Sequence, residues 1–239
     1  MNRDRFRFFT ATHHQSDLLV GVPHIQYQLD MEENARLELV RLRDILLAYS
    51  KADQRFADSL TPVPVPGTER FVPEEVLTMI RCGLKTGTGP MSAVAGLFAE
   101  YVGLKLKESF SLDEVVIENG GDLFLQNKTE LISVIHAGTS PLSDKMAFVI
   151  PPGSWGICTS SGTMGHSLSM GNADAVTVIA GSTPLADAWA TSLANQVEGP
   201  NHIEPVLDQI KEIPHILGCA IIVGDRIGIR GDFEVKLLS

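Results

Sequence analysis

The chain has 239 residues, 44% of them hydrophobic and 20% charged, which is long enough for a real core and ordinary for a globular protein. Its formal net charge of -10 argues against sequence-independent binding of DNA or RNA and against docking on anionic membrane, since both need clustered cations. Three cysteines, Cys82, Cys158 and Cys219, are too few and too scattered for a disulfide framework, and there is no Cys-x-x-Cys pair for zinc.

The opening "MNRDRFRFFTATHH" alternates charge and aromatic residues and holds no apolar stretch of signal-sequence length. No later run is long enough to span a bilayer, so the expected compartment is the cytoplasm. "RFRFFTAT" and "DLLVGV" are expected to pair as a hairpin through the polar "HHQS". His13 and His14 lack a third ligand at metal-site spacing and read as turn residues. In "EENARLELVRLRDILLAYSKADQRFADSL", Leu37, Leu39, Val40, Leu42, Ile45, Leu46 and Leu47 recur at helical spacing, which predicts one long helix or two. "TPVPVPG" ends it, because proline cannot continue a helix, and reads as a loop within a single domain spanning 1–239.

"VPEEVLTMIRCGLKTGTG" opens as a helix with Pro73 near its first turn and frays into a Gly/Thr loop. "GPMSAVAGLFAEYVGLKLKES" is a second helix, and its Ala93, Ala95, Gly96 and Ala99 suit close packing on a sheet or another helix. From residue 113 the period changes. "DEVVIENGGDLFLQ" reads as strand, Gly-Gly-Asp turn and strand, and "ELISVIHAG", "KMAFVIPP", "GICTSS" and "AVTVIAG" continue as short strands. Two helices follow, "PLADAWATSLAN" and "IEPVLDQIKEI". "GCAIIVGDRIGIRGDFEVKLL" closes as a hairpin with a third strand beyond it. Strands and helices come in runs, which predicts an α+β fold with a largely antiparallel sheet. A faint two-fold rhythm, a hairpin followed by helices in each half, is the only trace of internal repetition.

Three stretches carry polar groups where chemistry is possible. Asp187 and Thr191 lie four residues apart and share one face of a small-residue, apolar helix. They either face solvent, with Asp187 favouring the positive end of the helix dipole, or they are hard oxygen ligands for Mg²⁺. In "ENGGDLF", Gly120 and Gly121 make a hairpin turn, or a bare backbone that a phosphate or flat ring can approach closely. "GICTSSGTMGHSLSMGNADA" is a strand ending in Thr159, Ser160, Ser161 and Gly162, then a polar loop holding His166, Met164 and Met170. It is a flexible loop or a ligand-binding strand end, the methionines filling apolar gaps. Cys158 reads as buried and inert, Cys82 as helix-face packing beside Arg81 and Lys85, and Cys219 as core.

Taken together, these stretches resemble the ApbE family, the FAD:protein FMN transferases. "ENGGDLFL" is similar to that family's Asn-Ile-Gly-Gly-Asp turn, one residue closer, with Asn119, Gly120, Gly121 and Asp122 in the matching places. "GICTSSG" resembles its strand ending in Ala-Thr-Ser-Gly, and "AVTVIAGSTPLADAWATSLA" its Val-Thr-Val strand followed by an Ala-Asp-Ala-x-Ala-Thr helix. The likeness spans roughly residues 88–197. It implies an ApbE-like, T-fold-related fold and a site for FAD or another flavin nucleotide. That site would be lined by Asn119, Gly120, Gly121, Asp122, Thr159, Ser160, Ser161 and Gly162. Mg²⁺ would sit at Asp187 and Thr191, and His166 would be the acid–base group. The family's His-Ile-Ile-Asp-Pro-x-Thr-Gly segment is contracted here to "TMGHSLSMGNAD", and the Lys-Gly-Tyr-Ala-Asp helix is replaced by "GPMSAVAG". These departures predict binding of a flavin or related nucleotide without efficient FMN transfer. The competing readings are a thiol protein of sulfur metabolism using Cys158 or Cys82, and a degenerate fold kept as an interaction scaffold.

Overall fold

β-Formers at the N-terminus pair as an antiparallel hairpin of β1 (Phe6–His13) and β2 (Ser16–Pro23), with Phe9, Ala11, Leu18, Val20 and Val22 buried on one face. The structure, a computed structural model, describes residues 5–67, 71–162 and 171–238. The amphipathic stretch that follows is two helices, α1 (Asp30–Ala52) and α2 (Gln54–Asp58). Asp53 divides them: its backbone is extended, and its side chain caps α2 by accepting the Arg55 N–H at 3.2 Å. Met31, Ala35, Leu39, Leu42, Leu46 and Tyr49 form the buried stripe of α1, while Leu37 and Leu47 face outward. Helix α3 (Glu74–Thr86) follows Pro73, and a tight turn at Pro90–Ala93 leads into α4 (Val94–Phe110).

The chain then forms β3 (Val115–Asn119), β4 (Asp122–Asn127), β5 (Leu131–Val134), β6 (Met146–Ile150), β7 (Gly153–Ser160) and β8 (Ala175–Ala180). After α5 (Thr183–Ala194) and α6 (Ile203–Ile210) come β9 (Gly218–Val223), β10 (Arg226–Gly231) and β11 (Val235–Leu237). Eight strands make one antiparallel sheet in the order β1-β2-β3-β4-β7-β8-β9-β10. The two-fold rhythm of the sequence reappears in it. Each half is a hairpin, a helical stretch and a second hairpin, and the halves meet where β4 pairs with β7.

Strands β5, β6 and β11 do not join this sheet. They form a small one in the order β11-β6-β5, which packs on the face opposite the helices. Strand β8 is therefore buried on both sides: Val176, Val178 and Ala180 meet the helices, and Ala175 and Ile179 meet the small-sheet layer. Each large aliphatic side chain so buried contributes about 1.5–3 kcal/mol. The fold is α+β with a large antiparallel sheet. Among the described residues, no helix is long and apolar enough to cross a membrane.

Candidate functional site

A cleft of about 1150 Å³ opens at the end of the large sheet and wraps around the tip of the β3–β4 hairpin. One wing lies on the helix side, the other on the small-sheet side. The three polar stretches of the sequence meet here: the Asn119–Asp122 turn, Thr159 to Ser161 at the end of β7, and Asp187 with Thr191 on α5. Gly162 lies just beyond, its N–H donating to Ala173 O at 2.9 Å.

Asp187 owes its place to two helices. Neither α4 nor α5 has a side-chain cap at its own N-cap residue, Ala93 or Ser182. Instead Asp187, from α5, accepts the Gly96 N–H of α4 at 2.9 Å and the Ala95 N–H beside it. Glu100, from α4, accepts the Thr183 N–H of α5 at 2.6 Å. Each helix thus satisfies the exposed donors of the other, a role worth about 0.5–2 kcal/mol per cap. The crossing is close because residue 96 is glycine: a Cβ there would stand 2.5 Å from Thr183 O. Small residues in α4 thereby serve helix–helix contact as well as sheet contact, where Gly103 lies under the Phe124 ring.

The carboxylates here crowd one another. Burial, then the charge of Asp122, holds Asp187 well above the ordinary carboxylate range, with the Gly96 and Ala95 N–H groups pulling the other way. Burial pushes Asp122 up to about 7, against the pull of the Cys158 thiol and the Thr159 N–H. Glu100 is raised by burial too. Among the described residues, five carboxylates line the cleft (Asp58, Glu118, Asp122, Asp174 and Asp187) against one guanidinium, Arg43. Thr191, one turn along from Asp187, presents a hydroxyl with no hydrogen-bond partner among the described residues. Ser160 Oγ is buried in the cleft wall and has no partner among the described residues. Two mutually repelling carboxylates beside unclaimed hydroxyls are a donor set that fits a hard cation. Among the described residues, no group of three or more His, Cys, Asp or Glu side chains is arranged for a metal. A cation at Asp187 would therefore complete its shell with hydroxyls, water and ligand phosphate, which is how Mg²⁺ is usually held.

The family model described as "AbpE bacteria" matches residues 1–210. The chain belongs to that family. A UPF0280 protein of Methanocaldococcus jannaschii is 37% identical over 227 residues, covering 91% of this chain and 87% of its own. A second, from Methanothermobacter thermautotrophicus, is 37% identical over 191 residues, covering 78% and 73%. Among solved structures, the Pseudomonas stutzeri flavinyl transferase ApbE in its apo form superposes with a TM-score of 0.62 at 16% identity, over 96% of both chains. The fold is thus ApbE-like, as the sequence resemblance implies.

The remaining predicted residues divide between the two wings. Gly120 and Gly121 make the hairpin turn with φ of 62° and 104°, conformations that suit glycine. The Gly121 N–H is already engaged, donating to Glu118 Oε1 at 2.7 Å, so an anion at this turn competes with a resident carboxylate. Asn119 Nδ2 donates to Ala95 O at 3.0 Å and ties the hairpin tip to the start of α4. Thr159 and Ser160 point to opposite faces of β7, so the hydroxyl cluster of the sequence is split. Thr159 Oγ1 lies 2.9 Å from Thr177 Oγ1. His166, Met164 and Met170 lie outside the described residues.

All three cysteines are buried. Burial pushes Cys82 and Cys219 up to about 12 and holds Cys158 well above the thiol range, where Asp122 and Asp187 add to it. These are the surroundings of inert thiols. Sequence reasoning missed Glu100, whose signal is akin to the one that marks Asp187: a carboxylate among the apolar, small residues of a helix's N-terminal half. It also missed His136 and Glu118, which local pattern does not distinguish from ordinary turn residues.

Proposed function

We propose that the cleft binds a flavin or related nucleotide with Mg²⁺, that Asp187 and Thr191 hold the metal, and that the chain acts as one ApbE-like domain. The observation that carries this reading is the placement of Asp187 and the unpartnered Thr191 hydroxyl side by side in the cleft, next to a second carboxylate, Asp122. The wall alone repels phosphate, since its carboxylates outnumber its one guanidinium. Bound Mg²⁺ would supply the charge neutralisation that lets phosphate approach. The protein's own part is to fix Asp187 by two backbone N–H groups and to offer the buried Ser160 hydroxyl in the cleft wall. Gly120 and Gly121 allow close approach at the hairpin tip.

Calorimetric titration with FAD and FMN, each with and without Mg²⁺, tests the reading. Binding that requires Mg²⁺ supports it. No heat with either flavin under either condition, with the protein shown to be folded, overturns it.

A further inference from the structure

Of the six histidines among the described residues, only His136 lines the cleft, on its small-sheet wing. It opens the loop between β5 and β6, and that loop is firmly built. The Ala137 N–H donates to Ser143 Oγ at 3.0 Å, and the Asp144 N–H donates to Ile135 O at 3.0 Å. Ser140 Oγ donates to Gly224 O at 2.7 Å, and the Gly224 N–H donates to Asp174 Oδ2 at 2.7 Å, which ties the loop to the β9–β10 turn. Asp144 has a φ of 62°, in the left-handed region that non-glycine residues seldom occupy. In that conformation its carboxylate lies 3.2 Å from His136 Nδ1.

The network sets the imidazole tautomer. Ser143 Oγ donates to Asp144 Oδ2 at 3.1 Å and stands 3.3 Å from His136 Nδ1. That hydroxyl's one proton is spent on the carboxylate, and a carboxylate only accepts. Both contacts at Nδ1 attract only when Nδ1 carries the hydrogen. In the neutral ring Nε2 then holds a lone pair, and no described residue engages it.

We propose that His136 is a specificity-determining residue. Its Nε2, held as an acceptor by Asp144, receives a hydrogen bond from an N–H or O–H group at the end of a nucleotide remote from the phosphate. This rests on the nucleotide reading and narrows it to a two-ended ligand that spans both wings and carries a donor at its far end. A cleft of about 1150 Å³ has room for one. The imide N–H of a flavin ring is such a donor. AMP, which has no flavin imide, serves as the control.

The test uses FAD, FMN and AMP as probes in calorimetry with Mg²⁺, on the parent, His136→Ala, His136→Gln and Asp144→Ala. The side chain is 63% exposed, so the variants should fold, and circular dichroism checks it. His136→Ala should weaken FAD about 5- to 10-fold, the value of one neutral hydrogen bond, and leave AMP unchanged. Glutamine, whose carbonyl accepts, should recover part of the loss, and Asp144→Ala should give a smaller one. FAD binding to the parent that His136→Ala leaves unchanged overturns this proposal alone. A parent that binds none of the three overturns the nucleotide reading and this proposal with it. ¹⁵N spectra of the unliganded protein give a check that needs no ligand: an Nε2-protonated His136 contradicts the acceptor role.

Discussion

Asp187 of α5 and Glu100 of α4 cap each other's helices, across a crossing that Gly96 makes close enough. This explains why two apolar, small-residue helices each carry a half-buried carboxylate where they cross. It also gives Asp187 two separable roles, as an acceptor of backbone N–H groups and as an anion in the cleft.

The two roles come apart with two substitutions. Asp187→Asn keeps an oxygen for the Gly96 N–H but removes the charge, so stability should stay near the parent's while Mg²⁺-dependent nucleotide binding is lost. Asp187→Ala should lose both, with a stability cost of about 1 kcal/mol for the cap. Urea denaturation and calorimetry on the pair decide it. Full binding by Asp187→Ala would sink the metal assignment.

Gly96→Ala should be destabilising by about 1–3 kcal/mol, because its new methyl would press on the Thr183 backbone rather than on a side chain that can move. Helix propensity alone would give the opposite sign, since alanine is the better helix former. A raised thermal midpoint for this variant would show that the crossing is looser than described.

The pH dependence follows from Asp122. Its folded carboxyl titrates at about 7, above the ordinary carboxylate value, so between roughly pH 4 and 7 the folded state binds more protons than the unfolded. Its contribution to stability is complete below about pH 4 and is lost as pH rises through 7. In metal-free buffer the parent's stability should therefore fall across that window, and Asp122→Asn should flatten the fall. Parallel curves for the two proteins would contradict this.

The thiols should be silent in the native state. All three are buried, and burial raises each above its usual range. Alkylation at neutral pH should be negligible within minutes and reach three equivalents on denaturation. Fast native modification of Cys158 would revive the sulfur-handling reading.

FMN transfer should be inefficient. An acceptor peptide incubated with FAD, Mg²⁺ and the protein should show no stoichiometric FMN adduct by mass spectrometry within minutes. The acid–base segment of the transferases is contracted in this sequence, and one missing positioned group typically costs about 10²–10⁴-fold in rate. Prompt stoichiometric adduct would refute this.

The sequence by itself determined what short-range periodicity encodes. The helical period of α1, the change of period after residue 113, the Gly120–Gly121 hairpin and the proline-marked helix ends all follow from which residues share a face and which φ values they tolerate. The Asp187–Thr191 pair was legible for the same reason, since four residues along a helix is a fixed geometry. Tertiary structure alone decided who meets whom. Gly96 and Asp187 are 91 residues apart, and Thr183 and Glu100 are 83 apart, so no local pattern announces the mutual caps. Strands β5, β6 and β11 look like any other short strands, and only the packing of two sheet faces removes them from the main sheet. His136 reached the cleft wall by that same long-range packing, which sequence spacing does not report.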